Sequence, residues 1–310
     1  MSHLHKTIGS LPSLRLPGEV PQAQGECGYF SPSFCNVVVI PSGLRPAPPK
    51  VGNEKLSIMQ LLYHPVDFLM TTFIAYANIQ QSYPFDEIPC QWVPETLRSP
   101  FPQNPLVRQS YQCRRLAHFL LWQLLKVAGK DTALLGKIER TESGRPYFPN
   151  EMIDFNISHS GDWVAVILDI PEKGEQNRQS AVGIDIEFPK SRDFSALIAH
   201  FAPQEEVAWF EQQADAESAF YRCWCLREAV LKSQGVGIVK LSEVRHLPCE
   251  QKIFSEYCPP GELFFTETLP FYFAAFINRR QHQVQFFCWE GGVLVPKKPS
   301  EIIRYQVNES

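Results

Sequence analysis

The chain has 310 residues, of which 44% are hydrophobic, 12% aromatic and 20% charged, a make-up that excludes collagen, coiled coil and acidic solvating tail. Its 29 Lys and Arg against 33 Asp and Glu leave a formal net charge of −4. No global positive field holds a polyanion, so nucleic acid is not an expected partner and any phosphate must be met locally.

Fifteen of the 26 prolines fall in residues 1–105. Residues 1–54 are read as a Pro-rich N-terminal extension, mostly irregular apart from a short β-branched run, Asn36 to Ile40, that suits one strand. Leu56 to Gln80 is dense in apolar residues and suits two short helices or a helix and a strand, broken at Pro65. A long helix is predicted from Val107 to Lys126, with Lys126 in its last turn and Gly129 as its stop. Lys137 to Arg140 reads as a short strand, Glu142 to Pro146 as a turn and Met152 to Ile157 as extended. Trp163 to Ile170 is a β-branched run suited to a buried strand. Lys173 to Ser180 is a polar loop, and Ala181 to Glu187 another strand. Helix follows from Asp193 to Gln234, with one start at Pro203 and a longer helix over Glu217 to Gln234 that stops at Gly235. Glu262 to Thr266, Phe271 to Ile277 and Val284 to Trp289 complete the strands. The fold class expected is α+β, with two similar halves, 55–150 and 151–310, and an active site between them.

The nine cysteines are odd in number, and the one close pair, Cys223 and Cys225, sits in a helical pattern. That is neither a disulfide framework nor a zinc knuckle, so reduced thiols and a cytoplasmic location are expected. Met1 to Val20 has no apolar core of a secretory signal, and the longest apolar-rich stretch, Val66 to Ala77, falls short of the ~20 residues that span a bilayer. No membrane partner is expected.

Three segments place polar or ionisable groups beside apolar ones. Taken alone, Ser158-His159-Ser160-Gly161 suits an ordinary turn better than a phosphate site; the functional reading is a local phosphate site with Arg145 upstream. In the strand Val182 to Glu187, Asp185 and Glu187 share one face and Ile184 and Ile186 the other. Two adjacent carboxylates repel unless a proton or cation lies between them, so the pair suits either a solvated edge or a hard divalent cation such as Mg²⁺. On the helix, Trp224, Glu228 and Lys232 stack at i, i+4 and i+8. Such a Glu–Lys pair is commonly a surface ion pair worth ~0.3–0.5 kcal/mol, but here it sits in an unusually apolar and aromatic helix.

Together, Gly144-Arg145-Pro146, Phe155-Asn156-Ile157-Ser158-His159-Ser160, Val182-Gly183-Ile184-Asp185-Ile186-Glu187 and Trp224 to Lys232 occur in an order that resembles the surfactin-type 4'-phosphopantetheinyl transferases. The resemblance covers about residues 105–280. It implies Mg²⁺ held by Asp185, Glu187 and Glu228 on the pyrophosphate of coenzyme A, with His159 at the 3'-phosphate, Ser158 beside it and Arg145 facing the same nucleotide end. It further implies that Lys232 neutralises phosphate and that Glu228 or a metal-bound water takes the proton of the attacking serine. The reaction implied is transfer of 4'-phosphopantetheine from coenzyme A to an apo acyl, peptidyl or polyketide carrier protein by a monomeric enzyme. Glu205 matches a further acidic position. Arg227 stands where lysine is usual, and Arg98, Arg108 and Arg114 are candidates for coenzyme A or carrier contact. Two other readings compete: a Mg²⁺-dependent nuclease, disfavoured by the helical Glu–Lys spacing and the acidic balance, and a non-catalytic coenzyme A- or carrier-binding module, which would be expected to lose a metal acid.

Overall fold

Strand β1 (Thr71–Asn78) sends alternate side chains to opposite faces, and both faces are apolar: Phe73, Ala75 and Ala77 on one, Ile74 and Tyr76 on the other. That pattern sets the layering of the protein. The computed structural model describes residues 71–171, 180–278 and 283–309. The chain divides after Ile58, and all described residues belong to the unit Met59–Ser310. The strand expected at Asn36 to Ile40, most of the segment from Leu56 and almost all of the loop from Lys173 lie outside them. At the end of that first segment, Thr71–Asn78 forms a strand.

Along the chain follow helices α1 (Glu95–Arg98) and α2 (Pro105–Val127), then the small ladder of β2 (Glu139–Arg140) and β3 (Pro146–Tyr147). Next come the hairpin β4 (Asp154–Ser160) and β5 (Trp163–Ile170), strand β6 (Val182–Glu187) and helices α3 (Phe194–Ile198), α4 (Gln204–Glu211) and α5 (Ala216–Ser233). The last strands are β7 (Arg245–Leu247), β8 (Lys252–Phe254), β9 (Gly261–Thr266), β10 (Tyr272–Ile277), β11 (Gln283–Glu290), β12 (Val293–Pro296) and β13 (Ile303–Val307).

Two sheets result, ordered β12-β11-β1-β5-β4 and β6-β10-β9-β13-β8-β7. Helix α2 packs Leu116, Leu120 and Leu124 with Phe73, Val164, Val166 and Leu168 on the outer face of the first sheet. Helix α5 packs Leu226, Ala229 and Val230 with Leu263, Phe265, Ala274 and Phe276 of the second. The inner faces meet in a core of their own, where Ile74, Ala165 and Ile167 share a cluster with Val182, Ile184, Ile186, Phe273 and Ala275. The protein is α+β, with two helix-backed sheets. Trp163–Ile170 is apolar except for Asp169 because both its faces are covered, and the buried Asp169 accepts from Thr72 Oγ1 at 2.6 Å.

One expectation is corrected. The border placed near residue 150 does not separate the sheets, because β4 and β5 pair antiparallel and β5 pairs with β1. The change of sheet falls between Ile170 and Val182, and β11 returns to lie parallel beside β1. The turn residues around 142–150 mark the β2–β3 connection instead. Strands β7, β8, β12 and β13 were not expected; the first three have only 3, 3 and 4 residues, whereas the alternation of Ile303, Tyr305 and Val307 in β13 was a readable signal.

Candidate active site

The site is built where β4 of one sheet runs beside β6 of the other. No backbone ladder joins them. Instead the side chains of β4 accept the free edge amides of β6: Val182 N–H donates to Asp154 Oδ2 at 2.8 Å, Ile184 N–H to Asn156 Oδ1 at 3.2 Å and Ile186 N–H to Ser158 Oγ at 3.2 Å. Residues two apart on β4 thus satisfy amides two apart on β6, which leaves no bare edge.

The opposite face of β6 meets α5 at Gly183, where a Cβ would lie 1.9 Å from the carbonyl oxygen of Ala229. Only glycine admits the helix this closely. The approach brings Glu228 and Lys232 to the face of β6 that carries Asp185. Lys232 Nζ lies 2.5 Å from Asp185 Oδ1 and donates to Ser158 Oγ at 3.1 Å, and Ser158 Oγ donates to the same carboxylate oxygen at 3.1 Å. Glu187 accepts from Ser160 Oγ at 2.8 Å.

Three carboxylates and one ammonium leave an excess of negative charge. Burial first, with Lys232 opposing and Asp185 and Glu187 adding, pushes Glu228 up to about 7. Burial and then Asp185 push Glu187 up to about 7, against Ser160, Lys232 and Arg192. For Lys232 burial works against its charge, but Asp185, Glu228 and Glu187 outweigh it and hold the ammonium well above its ordinary range. Asp185 Oδ2 is buried with no hydrogen-bond partner.

His159, the next residue along β4, is exposed. The protein crowded around its ring, then the charges of Lys232 and Arg114, hold its imidazole below the usual value, with Asp185 opposing. Arg114 is itself exposed on α2, whose Gln109 donates to Asp162 Oδ1 at 2.7 Å in the turn just after His159 and Ser160.

Comparison with known proteins settles the family. A Haemophilus influenzae protein provisionally named a 4'-phosphopantetheinyl transferase is 59% identical over 239 residues, which is 77% of this chain and 100% of that protein. The chain belongs to the 4'-phosphopantetheinyl transferase superfamily. The family's own pattern, described as the 4'-phosphopantetheinyl transferase superfamily, matches residues 181–283. This span includes Asp185, Glu187, Glu228 and Lys232. The 4'-phosphopantetheinyl transferase AcpT of Salmonella typhi is 31% identical over 136 residues, 43% of this chain and 66% of that protein. The 4'-phosphopantetheinyl transferase Sfp of Bacillus subtilis is 30% identical over 99 residues, 31% of this chain and 40% of that protein. The protein is thus an enzyme, a 4'-phosphopantetheinyl transferase.

Other sequence-predicted residues of the transferase lie elsewhere or serve differently. Arg227 is fully buried and its partners are Glu206, Leu241 and Cys223, not Asp185, Glu187 or Glu228. Its guanidinium grips both oxygens of Glu206, donates to the Leu241 carbonyl at 3.2 Å and to the Cys223 carbonyl at 3.0 Å, and His246 Nδ1 completes the group 2.7 Å from Glu206 Oε1. The departure from lysine at this position therefore does not touch the carboxylate pocket. Glu205 is exposed on α4, while its neighbour Glu206 is the buried acid. Donor atoms of Glu206, Cys223 and His246 lie within 4.8 Å of one another. The charge there is already balanced by Arg227, and burial pushes the Cys223 thiol well above its ordinary range. Arg98 and Arg108 donate to the Val93 and Pro102 carbonyls within their own segments, at 2.7 and 2.9 Å. Arg145 is bound into the protein at the β4–β6 junction rather than free. Sequence reading missed Asp154 and placed Asn156 and Ser160 in the motif without a role at β6, although the spacing of two among Asp154, Asn156, Ser158 and Ser160 along one face of a strand was a signal for a shared role.

Proposed function

We propose that this enzyme is of the surfactin type and transfers the 4'-phosphopantetheine group of coenzyme A to a serine hydroxyl of an apo acyl, peptidyl or polyketide carrier protein, releasing adenosine 3',5'-bisphosphate. It acts as a cytoplasmic monomer with Mg²⁺. The observation that carries the reading is the meeting of Asp185, Glu187, Glu228 and Lys232 across the Gly183 contact.

The residues fit a hard divalent cation. Asp185 Oδ2 is buried and unpartnered, and burial first, then the charge of Asp185, pushes the Glu187 and Glu228 carboxyls up to about 7, a cost that a cation relieves. Asp185, Glu187 and Glu228 would hold it. When bound, Mg²⁺ withdraws charge from the pyrophosphate and acts as a Lewis acid on the reacting phosphoryl group.

Lys232 remains protonated in the pocket and offers a fixed positive charge to a phosphate oxygen. Ser158 fixes Lys232 and Asp185 relative to one another through its single hydroxyl. His159 meets the 3'-phosphate from its exposed position at the end of β4. Glu228 is the residue that accepts the serine proton, and the hydroxyl then attacks phosphorus as the bond to the adenosine bisphosphate oxygen breaks.

A panel of apo carriers from fatty-acid, polyketide and peptide synthases, each incubated with enzyme, coenzyme A and Mg²⁺, tests the reading and shows which class is served. Asp185→Ala and Glu228→Ala should each abolish transfer while the fold persists; a fully active variant removes that residue from the site. His159→Ala should raise the KM for coenzyme A but not for 3'-dephospho-coenzyme A, and an unchanged preference between the donors refutes its phosphate role.

A further inference from the structure

Arg145 stands in the β2–β3 turn, yet its guanidinium binds three other elements. Nε donates to the carbonyl of Lys232 at 3.2 Å, and one terminal nitrogen donates to Asp154 Oδ2 at 2.6 Å and to the carbonyl of Val182 at 3.1 Å. The other terminal nitrogen lies 3.4 Å from the Pro146 carbonyl. These partners are the last turn of α5, the first residue of β4 and the first residue of β6. The side chain is 11% exposed and its ion-pair partner Asp154 9%.

The same three elements carry the site. Helix α5 holds Glu228 and Lys232, β6 holds Asp185 and Glu187, and β4 holds Ser158 and His159. The carbonyl of Lys232 also accepts from Asn156 Nδ2 at 3.3 Å, so one side chain of the β2–β3 turn and one of β4 cap the negative end of α5. Gly235, which ends the helix with φ +69, leaves room for this: a Cβ there would stand 3.0 Å from Arg145 Cβ.

We propose that Arg145 is a positioning residue that locks the end of α5 to β4 and β6 and so sets Lys232 against Asp185, rather than a ligand of the donor's phosphate. A guanidinium suits the task because its planar fork serves an acid and two carbonyls at fixed angles, whereas a lysine ammonium is a single point on a flexible stem. To reach a phosphate, Arg145 would have to abandon a buried carboxylate.

The test uses Arg145→Lys in the full chain and has two arms. In amide hydrogen exchange, the variant should exchange on the order of ten-fold faster than wild type at the amides of Ser233 to Val236 and at Ile184 and Ile186. Unchanged exchange there overturns the inference. The kinetic arm rests on the proposed transfer reaction and is run at a temperature where circular dichroism shows the variant fully folded. With an apo carrier, kcat should fall on the order of ten-fold for coenzyme A and 3'-dephospho-coenzyme A alike, with both KM values unchanged. A rise in KM confined to coenzyme A overturns the inference, as does an unchanged kcat. Should Arg145→Lys not fold, Asn156→Ala removes the second bond to the Lys232 carbonyl and also the acceptor of the Ile184 amide, so its exchange is read only at Ser233 to Val236. Faster exchange there and a lower kcat, both weaker than expected for Arg145→Lys, are expected, and no effect in either overturns the inference. Failure of wild type to modify any carrier would sink the proposed reaction, and the exchange arm still decides the role of Arg145.

Discussion

Gly183 shows how much chemistry a missing Cβ can permit. It lies two residues before Asp185 and under the helix turn that carries Glu228 and Lys232, and the helix carbonyl of Ala229 occupies the space a methyl group would need. Gly183→Ala must push α5 outward or shift β6. Overpacking of this kind costs roughly 1–3 kcal/mol, and more against backbone. Thermal melting should show that loss, and any folded fraction should have lost the Lys232–Asp185 contact and its activity; an unperturbed melt with full activity would contradict the close approach. At the same scale, the strand and helix periods put Asp185 with Glu187 and Glu228 with Lys232 on shared faces, but a solvated edge and a surface ion pair give the same periods, and only the resemblance joined the four into one candidate site. The partners of Arg145 and Arg227 were not legible. Nothing local distinguishes a cation that reaches out to a phosphate from one that pairs with an acid 9 or 21 residues away.

Among the elements, α5 is held from both sides. Its site face meets β6, and its inward face is anchored by Arg227 through Glu206 of α4 and His246 of β7. Although burial alone would raise it, hydrogen bonds from His246 and Arg227 hold Glu206 down to about 2. Glu206→Gln leaves a fully buried guanidinium without its counter-charge and should cost roughly 3–5 kcal/mol, read as a lower denaturant midpoint; a loss within experimental error would show that the pair contributes nothing. Helix α2 supplies a pH dependence. His118 is buried with Nε2 3.0 Å from the Trp92 carbonyl, which can only accept, so Nε2 carries the proton. Burial, opposed by this bond, holds the imidazole down to about 4. The folded value lies below the unfolded one near 6.5, so between them the unfolded chain binds more protons, and stability falls as pH drops from 6.5 towards 4. Wild type should lose roughly 2–3 kcal/mol from this group across that window, and His118→Gln should flatten the loss. An identical pH profile in the variant would contradict the assignment. The long helices and buried strands were readable because many residues repeat one period. The junction of β4 with β6 was not, since its bonds join residues 28 apart that share no ladder.

For the whole molecule, the decisive feature is that the two sheets share an apolar core and a polar edge. The core formed by Ile74, Ile167, Ile184 and Phe273 holds the inner faces together. The polar edge, from Asp154 to Ser160 along β4, satisfies β6 and also supplies Ser158 and Ser160 to the carboxylate pocket. Binding and folding thus draw on the same strand. The change of sheet between Ile170 and Val182 was not readable, because turn residues mark every tight connection and only pairing shows which one separates sheets. The proposed reaction is transfer of phosphopantetheine at this junction through Asp185, Glu187, Glu228 and Lys232. Intact-mass measurement of an apo carrier after incubation with coenzyme A, Mg²⁺ and either wild type or Asp185→Asn tests it most directly. The account predicts a carrier heavier by one phosphopantetheine group with wild type and an unmodified carrier with the variant; equal modification by both, or none by wild type across all carrier classes, would contradict it.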